Sequence, residues 1–376
     1  MSSRTAPGAV HRVEMDDPAS YANLDPAGML DFAVGFPTQV KEAARIGRDF
    51  APPTTFRNPR QIVLSGMGGS AIAGDFLARL CEDRVAAPFV VNRTYRIPSF
   101  VGRDTLFIAS SHSGNTEETL ATVQAALRQE ARIICITTNG KLEDFALRHK
   151  GPRVALLRIP QTDPPMPPRA ALGYSLIPLV RALETLGLFP GAGRHIGEAI
   201  TLLELLRDRV RPDVPTELNR AKQLAGDLRG RIPWIHGTAG IMGAAAYRWR
   251  TQFNENSKML AYSSEYPELD HNEVIGWEQA DWLRDTLSVV ILQSPSDHWR
   301  VRARVDITNK KLLAPKAPVH VIQAEGRSSL AQLLWTVYLG DWVSLYLAAL
   351  NRVDPGSIES INTLKRDLEK LQRPQK

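Results

Sequence analysis

The stretch Gln61-Ile62-Val63-Leu64-Ser65-Gly66-Met67-Gly68-Gly69-Ser70-Ala71 decides the fold. Its apolar first part predicts a buried strand, and the glycines that follow permit a tight turn into a helix over 71–80. A similar stretch returns at Pro233-Trp234-Ile235-His236-Gly237, with Gly240 at the place of Gly69. This recurrence of strand, glycine turn and helix indicates two copies of one α/β unit.

Outward from this stretch, short apolar runs alternate with helical patterns. We predict strands over 61–65, 88–91, 105–111 and 132–138, and again over 232–236, 287–292 and 319–323. Such alternation is typical of parallel sheets covered by helices on both faces. Arg103-Asp104-Thr105-Leu106 also recurs as Arg284-Asp285-Thr286-Leu287, each opening a strand. The predicted fold class is therefore α/β, with two doubly wound parallel-sheet domains related by internal duplication.

A length of 376 residues suits two or more domains. We place an N-terminal arm at 1–25, the first domain at 26–190 and the second domain, with a helical linker before it, at 191–350. A C-terminal helix follows at 351–376. A proline cluster interrupts the first half and predicts a rigid, non-helical loop; it consists of Pro160, Pro164, Pro165, Pro167 and Pro168.

The composition excludes several classes of protein. With 43% hydrophobic and 23% charged residues, the chain is an ordinary globular protein and not a disordered one. Its two cysteines, Cys81 and Cys135, exclude a disulfide framework and, with no apolar leader near the N-terminus, indicate the cytoplasm. The net charge of +6 is dispersed, so nucleic acid is not the expected partner. The apolar stretch 333–350 contains Asp341, and we expect it to be too short and too charged for a membrane span.

The first glycine turn has the spacing of a dinucleotide-binding loop, G-x-G-x-x-A. Those loops need an acidic residue at the end of the next strand to hold the ribose hydroxyl. Here that strand ends in Val91-Asn92-Arg93, so a dinucleotide is not the expected cofactor. The glycines and the N-terminus of the helix can still bind an anion. The alternative is a structural turn that binds no ligand.

The next strand ends in a hydroxyl-rich loop, Ser110-Ser111-His112-Ser113-Gly114-Asn115-Thr116, before a helix over 117–128. Hydroxyls and helix N–H groups at such a junction can hold a phosphate. The loop contains no lysine, which excludes a nucleoside-triphosphate P-loop. Helix capping by Asn115 and Glu118 is the alternative, but it does not explain the hydroxyls and the glycine upstream.

Two further residues are candidates for chemistry. Arg169 begins an apparent helix, where a positive charge is unfavourable because it opposes the helix dipole. Its side chain therefore either belongs to a functional site or points into solvent. Glu255 is the only carboxylate within 248–261 and stands between Asn254 and Asn256. It is either a base among neutral amides or a surface partner of Lys258 three residues on.

His271 and Lys365 complete the set of candidates. His271 lies in a polar loop over 268–273, and no second histidine stands at ligand spacing, so a metal is not expected. Lys365 falls within the arc of an apolar helical stripe formed by Ile358, Ile361, Leu364, Leu368 and Leu371. A lysine on a face that we expect to be buried either snorkels to solvent or reaches into a site.

The loop 111–116, with Gly68-Gly69-Ser70 beside it, closely resembles the phosphosugar-binding loops of sugar isomerase (SIS) domains, which have a flavodoxin-like fold. The wider order of motifs resembles the bifunctional phosphoglucose/phosphomannose isomerases, from about Ile62 to Lys365. Its later members are Pro168-Arg169, Asn254-Glu255-Asn256, His271-Asn272-Glu273, Asp354-Pro355 and Leu364-Lys365. The chain departs from the family at His112, where an aromatic is frequent, and at Gly356-Ser357, where a threonine is frequent.

This resemblance implies aldose–ketose isomerisation of glucose 6-phosphate, and of mannose 6-phosphate, with fructose 6-phosphate through a cis-enediol. It implies Glu255 as the base, Arg169 as the group that stabilises the oxyanion, and His271 and Lys365 in ring opening. The phosphate would be held by Gly69, Ser70, Ser111, Ser113 and Thr116.

The resemblance also implies a homodimer in which His271 comes from the neighbouring subunit, and it implies neither a cofactor nor a metal, because the electrons stay in the substrate. The second copy of the phosphate loop, Gln293-Ser294-Pro295-Ser296-Asp297, lacks the glycine and the threonine. Only the first copy is therefore expected to hold phosphate. The alternatives are a non-catalytic phosphosugar-binding regulator and another sugar-phosphate isomerase on the same fold.

Overall fold

The computed structural model describes residues 14–371, and within them it contains two parallel β-sheets. Residues 1–13 of the predicted arm and 372–376 of the predicted C-terminal segment lie outside the described residues. The strands are β1 (Gln61–Ser65), β2 (Phe89–Asn92), β3 (Thr105–Ser110), β4 (Arg132–Thr137), β5 (Val154–Arg158), β6 (Ile232–Thr238), β7 (Tyr262–Tyr266), β8 (Leu287–Gln293) and β9 (Val319–Gln323).

The second sheet repeats the strand order of the first. The first sheet runs β2-β1-β3-β4-β5 and the second β7-β6-β8-β9, with every neighbouring pair parallel. The central strands β1 and β6 are the two that precede the glycine turns, so the predicted duplication is confirmed. The strands predicted from the sequence do not include β5 and β7, and β7 is a polar edge strand without an apolar run.

Helices cover both sheets and join them. They are α1 (Ala19–Ala22), α2 (Met29–Asp49), α3 (Gly68–Cys81), α4 (Glu117–Arg128), α5 (Gly140–Arg148), α6 (Leu172–Thr185), α7 (Ala192–Val210), α8 (Arg220–Leu228), α9 (Ile241–Glu255), α10 (Glu273–Gly276), α11 (Trp299–Thr308), α12 (Ser329–Asn351) and α13 (Glu359–Glu369). The proline cluster lies between β5 and α6 in a segment without helix or strand, as predicted. Because α6 begins at Leu172, Arg169 lies in the turn before the helix and not at its start.

The largest apolar cluster contains buried residues from both halves, among them Leu64 of β1, Leu176 of α6 and Trp342 of α12. By length and composition α12 could cross a membrane, contrary to the expectation from its sequence. However, 94% of its most apolar window is buried inside the protein, so these side chains form the core between the halves. The domain boundaries near residues 25, 190 and 350 stay a prediction.

Candidate functional site

The two predicted phosphate loops meet at one edge of the first sheet. They follow β1 and β3, which are parallel neighbours, so their carboxyl ends lie side by side. The hydroxyl of Ser70 accepts a hydrogen bond from the backbone N–H of His112 at 3.3 Å, which joins the loops directly. Within the second loop, the hydroxyls of Ser111 and Thr116 lie 2.9 Å apart. Ser70 and Ser111 are buried, whereas Ser113 is exposed at the rim.

The N-terminus of α4 is left open at this edge. Thr116 is its N-cap residue, and no side chain caps the helix in the described part of the chain. Asn115 donates instead to the carbonyl of Ser113 at 3.0 Å and accepts from the N–H of Lys141 at 3.3 Å. The capping interpretation of Asn115 is therefore wrong. The first backbone N–H groups of α4 are available to an anion, in the field of the helix dipole.

Gly69 connects this edge to Arg169. A Cβ atom added to Gly69 would lie 2.8 Å from the carbonyl oxygen of Pro168, so only glycine permits the close approach of the two segments. The backbone of Arg169 follows directly. The glycine turn thus positions both Ser70 and the predicted oxyanion-stabilising arginine.

Arg169 is 4% exposed and reaches from the first half of the chain into the second. Its Nε donates to Oδ1 of Asn256 at 2.8 Å, and its Nη2 donates to the carbonyls of Pro355 and of Gly356, the latter at 3.0 Å. Its Nη1 lies 3.7 Å from a carboxylate oxygen of Glu255. Burial lowers the pKa of Arg169 from its ordinary value, and the Glu255 charge opposes this shift. The solvent-facing alternative for Arg169 is wrong.

Glu255 ends α9 with its side chain 32% exposed. Its carboxylate pairs with Arg169. The ammonium of Lys258 donates to the backbone carbonyl of Glu255 and to that of Ser357, the latter at 2.7 Å. The surface pair between the Glu255 carboxylate and Lys258 is therefore not formed. A partly exposed carboxylate beside a buried guanidinium is suited to exchange a proton with a bound molecule.

His271 and Lys365 are not brought to Glu255 within one chain. His271 lies in the turn after β7 and is exposed, and Lys365 lies on α13 and is exposed. Among residues 14–371, neither has a hydrogen bond or an ion pair with the other candidates. The apolar stripe around Lys365 is also open, with Leu364 60% and Leu368 52% exposed. Within residues 14–371, the expectation that this face is buried is wrong.

The second copy of the phosphate loop is filled by the protein itself. Oδ2 of Asp297 accepts from the backbone N–H of Ser294 at 2.8 Å, and its carboxylate also interacts with Thr238 on the second glycine turn. Burial raises the pKa of Asp297, while these two hydrogen bonds oppose the shift. A carboxylate thus bridges the two loops in the place where the first copy has open hydroxyls, which supports the expectation that only the first copy holds phosphate.

No sequence motif predicted two polar networks, of which one lies beside Arg169 and the other beside the loop that carries His271. Arg248 donates to the carbonyl of Arg169 at 2.6 Å and lies 3.3 Å from the carboxylate of Asp341. The second network surrounds Glu273, which contacts the buried His236. For the network of Arg248, the only indication in the sequence was Asp341, the single charged residue in an apolar stretch. In the described part of the chain, no group of three or more His, Cys, Asp or Glu residues could hold a metal ion.

Comparison with known proteins shows the family of this chain. Residues 217–368 match the family described as the bacterial phospho-glucose isomerase C-terminal SIS domain, and residues 55–146 match the SIS domain. The bifunctional phosphoglucose/phosphomannose isomerase of Caldicellulosiruptor bescii is 39% identical, over 91% of this chain and 99% of its own. That of Aquifex aeolicus is 36% identical, over 82% and 90%.

A glucose-6-phosphate isomerase-like protein from Thermus thermophilus has the same fold, with a TM-score of 0.59 and 20% identity over 94% of this chain and 99% of that one. The fold class and the resemblance inferred from short motifs are both confirmed. At this identity and coverage, the chain belongs to the family of bifunctional phosphoglucose/phosphomannose isomerases.

Proposed function

We propose that the chain interconverts glucose 6-phosphate and fructose 6-phosphate, and also mannose 6-phosphate, by moving a proton between C2 and C1 through a cis-enediol. The observation that carries this proposal is the position of Arg169. Its backbone packs against the glycine turn, and its guanidinium lies beside Glu255. Arg169, a buried residue, therefore connects the loops proposed to bind the phosphate with Glu255, the proposed base.

The first half of the site would hold the phosphate. Ser70, Ser111, Ser113 and Thr116 offer hydroxyls, and the N-terminus of α4 offers free N–H groups and a positive dipole. When the phosphate is bound in one place, the sugar carbons also have a fixed position relative to the rest of the site. Inorganic phosphate should accordingly compete with the substrate.

Glu255 and Arg169 would carry the proton transfer. Glu255 takes the proton from C2 and returns it to C1, which needs no change in the substrate's oxidation level overall. The Nε and Nη2 groups of Arg169 are engaged with protein oxygens, so the guanidinium is held in one orientation. Its Nη1 faces the carboxylate and can stabilise the negative oxygen of the enediolate.

His271 and Lys365 would assist ring opening, with His271 supplied by the neighbouring subunit of a homodimer. Both side chains are exposed and unpaired within residues 14–371. A neighbouring copy would bring His271 to the carboxylate of another chain. We place the reaction in the cytoplasm, in keeping with Cys81 and Cys135, which are both buried free thiols.

Replacing Glu255 tests the proposal. Glu255→Gln keeps the shape of the side chain and removes the base, so turnover should fall by about 100-fold or more. The KM for the substrate should change little because the phosphate loops lie in the other half of the chain. The wild type should exchange the C2 proton for solvent deuterium, and the variant should not.

Glu325→Gln is a matched control, since it removes a surface carboxylate that pairs with Arg209. It should leave turnover unchanged. If Glu255→Gln retains most of its turnover, another group is the base. A wild-type protein that binds the sugar phosphates but exchanges no C2 proton would instead be a non-catalytic phosphosugar-binding protein.

A further inference from the structure

The loop that carries His271 is held by a carboxylate on each side of it. On one side, Oδ1 of Asp270 accepts from the hydroxyl of Thr308 at 3.0 Å, and Oδ2 pairs with Arg304 of α11 at 3.4 Å. On the other side stands Glu273, two residues beyond the histidine. The backbone of the loop is thus tied both to α11 and to the second sheet.

Glu273 is tied to the inside of the protein. Its Oε1 lies 3.0 Å from Nε2 of His236 on β6, whose side chain is completely buried, and accepts from the indole N–H of Trp277 at 3.3 Å. Its Oε2 accepts from the hydroxyl of Ser264 on β7. Burial acts to raise the pKa of Glu273, but the interactions with His236, Ser264 and Trp277 outweigh it and hold the pKa below its ordinary value.

The apolar residues of the loop are anchored as well. Tyr266, Leu269 and Trp277 belong to one buried cluster under the second sheet. The side chain of His271 is exposed and has no partner in the described part of the chain. Because the backbone that carries His271 is fixed on both sides, only the side chain has to be ordered when it meets another molecule, which reduces the entropy lost on contact.

We propose that Glu273 is a positioning residue, which holds His271 through His236, Ser264 and Trp277 in the orientation that meets the sugar. The inference rests on the proposed role of His271. Glu273 itself is poorly placed to act as a base, because one carboxylate oxygen accepts from the Ser264 hydroxyl and the other from the buried Trp277 indole beside His236.

Two substitutions separate positioning from chemistry. Glu273→Gln can keep all three contacts, because its amide oxygen still faces His236 and Trp277 while the Ser264 hydroxyl turns from donor to acceptor. It should retain most of its turnover. Glu273→Met keeps the length of the side chain but accepts no hydrogen bond, so kcat should fall by roughly 10- to 100-fold with little change in KM.

A double-mutant cycle tests the route of the effect. If Glu273 acts through His271, adding Glu273→Met to His271→Ala should lower kcat no further, although the melting temperature should still fall. Glu198→Met is the matched control. The Glu198 carboxylate holds a different loop through the N–H groups of Arg327 at 2.5 Å and Ser328 at 3.2 Å, and its loss should lower the melting temperature only.

The outcomes are distinguishable. A His271→Ala variant with normal turnover would remove the proposed role of His271. A slow His271→Ala with a fast Glu273→Met would overturn the positioning role alone. Equal losses in Glu273→Gln and Glu273→Met would show that the negative charge itself is required. Losses that multiply in the double variant would show that Glu273 acts independently of the histidine. The folded fraction of each variant is checked by circular dichroism.

Discussion

Gly114 is the residue on which the shape of the phosphate loop depends most directly. Its φ angle is +68°, and an added Cβ would lie 1.7 Å from the carbonyl oxygen of Asn139. A methyl group there must displace the backbone of the loop. In Gly114→Ala the Ser113 and Thr116 hydroxyls should therefore move, and the KM for the sugar phosphate should rise by roughly tenfold or more.

Gly102→Ala is the control for this change. Gly102 lies at the other end of β3, and an added Cβ would meet nothing within 4 Å, so the KM should not change. Inhibition by inorganic phosphate, measured in parallel, should weaken only in Gly114→Ala. Unaltered KM and phosphate inhibition in that variant would mean that the phosphate binds elsewhere.

At the scale of elements, α9 carries the polar side chains that join the two halves. Arg248, Gln252 and Asn256 recur every four residues and so share one face of the helix. Arg248 and Gln252 both bond the carboxylate of Asp341 on α12, and Asn256 donates to Ser344 on the same helix at 2.9 Å. A row of polar side chains thus crosses an otherwise apolar contact between the halves. Arg169 is bound at both ends of this row, through its side chain to Asn256 and through its carbonyl to Arg248.

Removing Arg248 should destabilise the fold in a pH-dependent way. Burial raises the pKa of Asp341 and Arg248 opposes this, so Arg248→Met leaves a carboxylate whose pKa is raised further. The free energy of unfolding should drop by about 3–5 kcal/mol at neutral pH. A carboxyl with a raised pKa favours the folded state when it is protonated, so part of this loss should be regained as the pH falls from about 7 to about 5.

Urea unfolding at both pH values measures this effect. Adding Asp341→Asn to Arg248→Met removes the titrating group, so the extra pH dependence should disappear in the double variant. If it persists, another carboxyl is responsible.

The same elements show what a sequence can and cannot predict. The recurrence of strand, glycine turn and helix predicted the two sheets and the helix, α9, that follows the second turn. The contact between Arg248 and Asp341 joins residues far apart in the chain, and no local pattern specifies such a pair. The stripe around Lys365 is the converse case. Its spacing correctly predicts an amphipathic helix, α13. The spacing does not say whether the same chain covers the apolar face, and residues 14–371 leave that face exposed.

For the whole molecule, the decisive property is whether one site is built from two chains. Arg169 and Glu255 meet within one chain, whereas His271 meets neither. Chains carrying Glu255→Gln or His271→Ala should each be nearly inactive. Refolding them together in equal amounts should give half hybrid dimers, each with one intact pair of Glu255 and His271. The mixture should regain about one quarter of the wild-type activity, as two-fold symmetry requires.

The control mixture combines Glu255→Gln with Arg169→Met. Both residues belong to the same chain's share of the site, so every site in the hybrid lacks one of them and activity should stay low. Recovery in the first mixture and not in the second shows that His271 crosses the subunit boundary. Activity that stays low in both mixtures, with dimers present by sedimentation, would place His271 in its own chain's site.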